Sequence, residues 1–101
     1  MAACLTARIC EASAQAAERD AGEARELADL ALSIAVQVPE ELRSRAEGYC
    51  WAHIGNARRA AGDADGAQEA FALARKLWQA GAASELLPER RMLELEASLR
   101  N

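Results

Sequence analysis

The only histidine of the chain, His53, lies three residues after Cys50, so a helix that contains both places them on one face. A cysteine and a histidine at this spacing could supply half of a zinc site or a thiolate–imidazole pair for nucleophilic catalysis. A structural zinc ion needs four ligands, and the remaining cysteines, Cys4 and Cys10, lie six residues apart in another segment. We therefore expect no metal site and no cofactor, with all three cysteines buried or half-buried as small apolar residues and His53 on the surface or in a groove.

The sequence offers few other groups for catalysis. A single histidine does not identify a Ser-His-Asp arrangement, and neither a glycine-rich phosphate loop nor a His-Glu-x-x-His string occurs. The acidic pairs Glu40–Glu41, Asp63/Asp65 and Glu94/Glu96 fit a helix start, a turn and a solvated face. We expect that the protein is not an enzyme.

Charge limits the partners that the chain can bind. The formal charge of the 101 residues is −4, and no polybasic tail is present, which disfavours anionic membranes and nucleic acid. Arg58–Arg59 is followed by the acidic stretch 63–69, which repels phosphate, and Arg90–Arg91 suits surface ion pairs. No segment approaches the roughly 18 apolar residues of a membrane helix, and three cysteines without framework spacing favour a reducing compartment. We expect a cytoplasmic protein that binds neither nucleic acid nor membrane.

Composition and helix-breaking residues predict an all-α domain. About half of the hydrophobic 51% of the chain is alanine, and the chain has only 6 glycines, 2 prolines and 4% aromatic residues, which favours helix over strand. Five antiparallel helices are expected, at about 2–18, 20–38, 39–61, 67–81 and 88–101. Pro39 suits the first position of the third helix, and Gly81 suits a left-handed conformation at the end of the fourth.

The first two helices carry a cap signal and two apolar stripes. Asp20, with Glu23 three residues later, resembles a capping box at the start of the second helix. Apolar residues at helical spacing define the faces expected in the core. They are Leu5, Ile9, Ala12 and Ala16 in the first helix, Leu27, Leu30, Ala31, Ile34 and Val38 in the second, and Ala67, Ala70, Phe71, Ala74, Leu77 and Trp78 in the fourth.

Two short motifs on either side of Gly62 lie in the third and fourth helices. They are Trp51-x2-Ile54-Gly55 and Ala67-x3-Phe71-x2-Ala74. Together they resemble the tetratricopeptide repeat (TPR), a 34-residue helix–turn–helix with the pattern W-x2-L-G-x2-Y followed by A-x3-F. Gly55 and Ala67 are small enough for two helices to cross closely, and Phe71 fills the space beside the crossing. The chain departs from the pattern at Arg58, where tyrosine is usual, and at Gln79, where proline is usual.

A degenerate copy of the repeat precedes the clear one. A shift of 43 residues aligns Ala24 with Ala67 and Ala31 with Ala74, but it also aligns Arg8 with Trp51. We interpret residues 1–101 as a single domain, a fragment of an α-solenoid. It comprises a degenerate helix pair at 2–38, a TPR-like pair at 40–81 and a capping helix at 88–101. A coiled helical hairpin would show part of this pattern too.

The resemblance implies a binding function without catalysis. In that family the first helix of each pair lines a concave groove that holds an extended peptide or a helix of another protein. Carried over to matching positions, the groove face would contain Tyr49, Ala52, His53, Asn56 and Arg59, with Ala60 as its floor. There Asn56 can pair with a peptide amide, Arg59 can hold a carboxylate, and Tyr49 offers a flat wall.

The sequence thus predicts a protein–protein interaction module or scaffold. The alternative is a self-associating structural or regulatory domain of a larger bacterial protein, in which the same faces close a homodimer. The homodimer is expected because repeat arrays usually need three or more units to cover their apolar faces.

Overall fold

A computed structural model describes residues 2–81 together with Glu94, Leu95 and Ala97. These residues form four long helices: α1 (Ala2–Ala16), α2 (Ala21–Ala35), α3 (Glu40–Ala60) and α4 (Ala64–Ala80). None of the described residues lies in a strand, so the expected all-α class is confirmed. Of the fifth helix expected at 88–101, Glu94, Leu95 and Ala97 are helical, and the rest lies outside the described residues.

The link between α1 and α2 is capped by one carboxylate. Asp20 Oδ1 accepts hydrogen bonds from the backbone N–H groups of Gly22 at 3.0 Å and Glu23 at 3.2 Å, as its sequence position predicts. The reciprocal half of the capping box does not form. Glu23 instead pairs with Arg19 at 3.3 Å, while the Asp20 N–H donates to the carbonyl of Ala16 at 2.7 Å.

The turn between α3 and α4 depends on a glycine with a positive φ. Gly62 has φ +87°, a left-handed conformation that only glycine adopts without steric cost. The N–H of Asp63 then reaches the carbonyl of Arg58 at 2.9 Å, and that of Gly62 reaches Arg59 at 3.0 Å, which is the Schellman pattern. Because Asp63 caps the next helix at once, α4 begins at Ala64, three residues earlier than expected.

Two other helix ends differ from the sequence prediction. Pro39 is the N-cap of α3, so the first helical residue is Glu40. Gly81 is extended, with φ −103° and ψ 167°, so the expected left-handed conformation is wrong. Its carbonyl accepts from Arg45 Nε at 3.1 Å, and a Cβ at Gly81 would lie 2.8 Å from the Arg45 backbone nitrogen. The absence of a side chain at Gly81 therefore lets the end of α4 approach α3 closely.

The helices pack as successive hairpins, with α3 in contact with all three others. The links 17–20, 36–39 and 61–63 are short, which makes neighbouring helices antiparallel. Helix α1 also packs on α3, and Ala28, Ile54 and Ala70 join α2, α3 and α4 in one apolar cluster. Helices α1 and α3 therefore lie side by side and present a common face.

Helices α1 and α2 bury mainly small residues, and the predicted apolar stripes are confirmed only in part, at Ala16, Ala31 and Val38. The buried residues are Ala3, Thr6, Cys10, Ser13, Ala14 and Ala16 in α1, and Ala24, Ala28, Ala31 and Ala35 in α2. Leu5 and Leu30 are each 48% exposed, so their predicted place in the core is wrong. Small side chains face the neighbours because they let the backbones approach, and the leucines lie at the edges. The predicted stripe of α4 is confirmed except that Leu77 is only half-buried.

The closest approach joins α3 to α4. A Cβ added at Gly55 would lie 3.0–3.1 Å from the ring of Phe71, as the two motifs predict. The approach is tighter at Gly48, where a Cβ would lie 2.9 Å from both the Ala74 carbonyl oxygen and the Trp78 backbone nitrogen. Ser44 adds a hydrogen bond from its hydroxyl to the Leu77 carbonyl at 2.6 Å. This crossing tolerates no larger side chain on α3.

The α3–α4 crossing generates a stability prediction. Replacing the fully buried Ala67 by leucine should lower the free energy of unfolding by about 1–3 kcal/mol, because the larger side chain must fit a closed crossing. Ala72→Leu is the matched control, since Ala72 is exposed on the same helix and its variant should stay within about 0.5 kcal/mol of wild type. Urea midpoints measure both. Equal midpoints for the two variants would contradict the assignment of the crossing.

Candidate functional site

The predicted groove residues lie together on α3, and most of them are buried. Tyr49 is 2% exposed, and Ala52 and His53 are 0% exposed. Tyr49 and Ala52 belong to the same apolar cluster as Cys10 of α1 and as Leu95. This part of the face is therefore filled by the chain itself, and His53 is a core residue rather than a surface residue.

An aromatic cluster explains the burial of His53. Its ring centroid lies 5.0 Å from that of Tyr49, with the planes tilted by 55°, and Tyr49 lies 6.2 Å from Trp78. Arg45 covers the outer side of Trp78, with its guanidinium carbon 4.3 Å from the ring centroid. Tyr49 thus joins α3 to α4, and His53 packs against Tyr49 on α3.

The face is open at the end of α3 that carries Arg59, which is half-buried, while Asn56 beside it is only 5% exposed. A cleft of about 490 Å³ lies there, which we call the polar cleft. It is lined by Ala14, Ala17, Glu18, Asn56, Arg59, Glu94 and Leu95. Sequence reasoning found Asn56 and Arg59 but missed the contributions of α1 and of the 94–95 segment, because which helix lies beside α3 depends on tertiary packing.

Arg59 is held in place at the polar cleft. Its Nη2 donates to Asn56 Oδ1 at 2.8 Å, one turn earlier on α3. Its Nε is shielded from solvent and meets no hydrogen-bond acceptor among the residues that the structure describes. Arg59 also lines the cleft, so a carboxylate that enters it can pair with the accessible N–H groups of the guanidinium, because the two groups match in a two-pronged geometry.

The neighbouring Arg58 serves the fold instead. Its Nη1 donates to the Gly66 carbonyl at 3.1 Å, across the turn to α4. Its guanidinium carbon lies 5.8 Å from the centroid of Trp51. Arg58 thus packs on Trp51 and ties two helices together. The pair Arg90–Arg91 lies outside the described residues.

A second, apolar cleft of about 710 Å³ opens between the start of α1 and the end of α2. Its lining residues are Ala2, Cys4, Leu5, Arg8, Ile34, Gln37 and Pro39. We call it the apolar cleft. Cys4 is exposed there, which contradicts the expectation that all three cysteines are buried or half-buried. Because α1 buries its alanine stripe, Cys4 and Leu5 face outward.

The other two cysteines meet inside the domain. Cys10 of α1 and Cys50 of α3 are fully buried, and the Cys10 thiol donates to Cys50 Sγ at a sulfur–sulfur distance of 3.9 Å. This hydrogen bond, then burial, then the electrostatic effects of Cys50 and Glu11 raise the pKa of Cys10 well above its ordinary value. Cys10 is therefore a neutral thiol in the closed fold. No spacing in the sequence identifies two residues 40 positions apart as partners.

Metal sites and membrane-spanning helices are two further features that bear on function. No group of three or more His, Cys, Asp or Glu side chains is arranged to hold a metal ion in the part of the chain that the structure describes. None of the helices described combines the length and the apolar character needed to cross a membrane.

Comparisons of the chain with models of known families, with curated proteins and with solved structures find no match. The functional argument therefore rests on the residues of this chain.

The buried thiol predicts a pH dependence of stability. In the unfolded chain Cys10 ionises near its ordinary pKa of 9.0, whereas in the folded chain it stays protonated to higher pH. The unfolded state then binds fewer protons, so the free energy of unfolding should fall as pH rises above about 8.5, by at most about 1.4 kcal/mol per pH unit. Below that pH the stabilising contribution of the protonated Cys10 thiol is fully present.

Urea midpoints of wild type, Cys10→Ala and Cys4→Ala across this alkaline range measure the effect. The difference in urea midpoint between wild type and Cys10→Ala should become smaller as pH rises. The difference between wild type and the control Cys4→Ala, which changes an exposed thiol, should stay constant. If the difference in urea midpoint between wild type and Cys10→Ala does not change with pH, Cys10 is not held protonated by the fold.

Proposed function

We propose that the protein is an α-helical interaction module, similar to the tetratricopeptide repeats, that binds a segment of a partner protein along α1 and α3. The observation that carries this proposal is the polar cleft, where Arg59 is positioned by Asn56 and its Nε has no acceptor among the described residues. A guanidinium oriented in this way in an open cleft suits recognition of a carboxylate. The proposal includes no catalytic step.

The arrangement of the helices supports the repeat-like architecture in this proposal. Gly55 meets Phe71 at the α3–α4 crossing, as the repeat pattern requires. In the first pair, Ala24 and Ala31 are 0% exposed, as are their counterparts Ala67 and Ala74. Helix α1 packs on α3, so the first helices of the two pairs lie next to each other, which is the arrangement that builds a concave face in stacked repeats.

The charges of the polar cleft indicate the chemistry of the ligand. Arg59 contributes one positive group, and Glu18 and Glu94 contribute two carboxylates at the same rim. A segment that carries an acidic side chain for Arg59 and a basic side chain for Glu18 complements this pattern. The side-chain amide of Asn56 can add a hydrogen bond to the peptide backbone.

Selection of peptides from a random displayed library on the purified chain tests the proposal. The recovered peptides should share an acidic residue with a basic residue nearby. Arg59→Ala should weaken their binding by about 10-fold or more, because a charge-assisted hydrogen bond contributes about 1.5–3 kcal/mol. Arg25→Ala, which removes an exposed arginine from α2, should leave binding unchanged.

Two results would refute the polar cleft as the binding site. One is a selection that yields no peptide above background. The other is a set of peptides whose affinity falls equally for Arg59→Ala and Arg25→Ala. Circular dichroism of both variants checks that their helix content equals that of wild type.

The apolar cleft supports a second candidate function, self-association. Leu5 is 48% exposed beside Cys4 and Ile34, and Val36 at the end of α2 is 59% exposed. Exposed apolar residues that cluster at one end of a helical stack are suited to pairing of two identical surfaces. A homodimer formed there would leave the polar cleft accessible at the other end of α1.

Sedimentation equilibrium at micromolar concentration tests this second function. We expect a mass of about twice 10.8 kDa for wild type. Leu5→Glu should return the chain to the monomer mass, because it places a charge in the contact. Leu73→Glu is the control, since Leu73 is 37% exposed on α4, away from the apolar cleft. A monomer mass for wild type at every concentration would exclude the homodimer.

A further inference from the structure

Two thiols of this domain lie in contact on different helices. The 3.9 Å between Cys10 Sγ and Cys50 Sγ is the contact distance of a thiol hydrogen bond, and a disulfide would bring the sulfurs to about 2.05 Å. Both side chains are short and point at each other across the α1–α3 contact. Both cysteines belong to one cluster of buried residues that also contains Ala3, Ala46 and Ala52.

We propose that Cys10 and Cys50 form a reversible oxidation site that takes a peroxide as oxidant and closes a disulfide between α1 and α3. This inference is independent of the proposed binding function. The site differs from a pair of cysteines buried only as small apolar residues, which would remain thiols whenever the fold is intact.

The reaction balances with one molecule of hydrogen peroxide. One cysteine, as its thiolate, donates an electron pair to a peroxide oxygen, the O–O bond breaks, and hydroxide leaves and is protonated to water. The product is a sulfenic acid. The second thiolate attacks the sulfenic sulfur and expels hydroxide, which takes up a proton. Two thiols and one peroxide thus yield one disulfide and two water molecules.

The closed fold controls how fast this reaction runs. Thiolate is the reactive form, and the pKa of Cys10 is raised by its hydrogen bond to Cys50 and by burial. Oxidation therefore requires α1 to detach for a moment, so that one sulfur is hydrated and ionised. When α1 returns, the oxidised sulfur meets its partner before any other thiol, because Cys4 faces the opposite way.

Helix α1 is suited to such opening. It has no acidic residue in its first turn and no basic residue in its last turn, so its dipole is not offset by side-chain charge. Its buried residues are small, with no buried leucine, isoleucine or aromatic side chain. Little apolar area is therefore exposed when α1 detaches. The free energy needed for this local opening is accordingly low compared with that of global unfolding.

The arginines of the chain allow the disulfide to be identified by tryptic digestion. Trypsin cleaves after arginine, which places Cys4 in peptide 1–8, Cys10 in peptide 9–19 and Cys50 in peptide 46–58. The full chain with Cys4→Ser, which removes only an exposed thiol, is treated with hydrogen peroxide in native buffer. Free thiols are then alkylated, and the chain is digested without reductant.

The expected product is peptide 9–19 joined to peptide 46–58 within one chain, and it should disappear on reduction. The oxidised protein should unfold at a temperature higher by about 5 °C or more, because a bond between residues 40 positions apart restricts the unfolded chain. Wild type should give the same linkage, with Cys4 oxidised or alkylated separately.

Three results would overturn the proposal. The first is recovery of both Cys10 and Cys50 as alkylated thiols after Cys4 of wild type has been fully oxidised. The second is their recovery as separate sulfinic acids. The third is a linkage that forms only between two chains, which mass analysis before digestion reveals. Peroxide treatment in urea is the reference, because an unfolded wild-type chain should link Cys4, Cys10 and Cys50 in mixed pairs.

Discussion

The close approach of the α3 and α4 backbones is the constraint on which the rest of the domain depends. A methyl group at Gly48 would lie 2.9 Å from the backbone of α4, and one at Gly55 would lie 3.0 Å from the ring of Phe71. Helices at such a separation make their contacts through backbone and alanine atoms, so the core consists mainly of small residues. The few large side chains, such as Phe71 and Trp78, fill the space beside the crossing. Short polar side chains can then reach the next helix, as Ser13 does to the Ala24 carbonyl at 2.6 Å.

This constraint explains which parts of the fold the sequence predicts. The turns at Asp20 and Gly62 follow from local chemistry, and both residues act as their types indicate. The buried faces of α1 and α2 do not follow, because counting large apolar residues selects Leu5 and Leu30, whereas close packing buries their smaller neighbours Thr6 and Ala31. Gly81 shows the same limit, since its conformation depends on Arg45, 36 residues earlier in the chain.

The candidate site was predictable to a similar extent. Helical spacing places Tyr49, His53, Asn56 and Arg59 on one face of α3, and the structure has them there. Which of them a ligand can reach depends on what packs over the face. Cys10 and Leu95 join the cluster around Tyr49, while the surface near Arg59 stays open. Sequence pattern alone cannot distinguish the covered part of the α3 face from the open part, because the covering residues lie on other helices.

Helix α1 connects the features that carry function. It supplies Cys10, it forms one wall of the polar cleft through Ala14, Ala17 and Glu18, and it lines the apolar cleft through Leu5. A ligand that contacts α1 in either cleft stabilises its docked position, and by linkage it raises the free energy of the opening that exposes Cys10. The coupling is reciprocal, because a disulfide to Cys50 that holds α1 in place removes part of the ordering cost of binding. The small buried side chains of α1 therefore link the two proposals, because the same helix borders the proposed binding face and carries one cysteine of the proposed oxidation site.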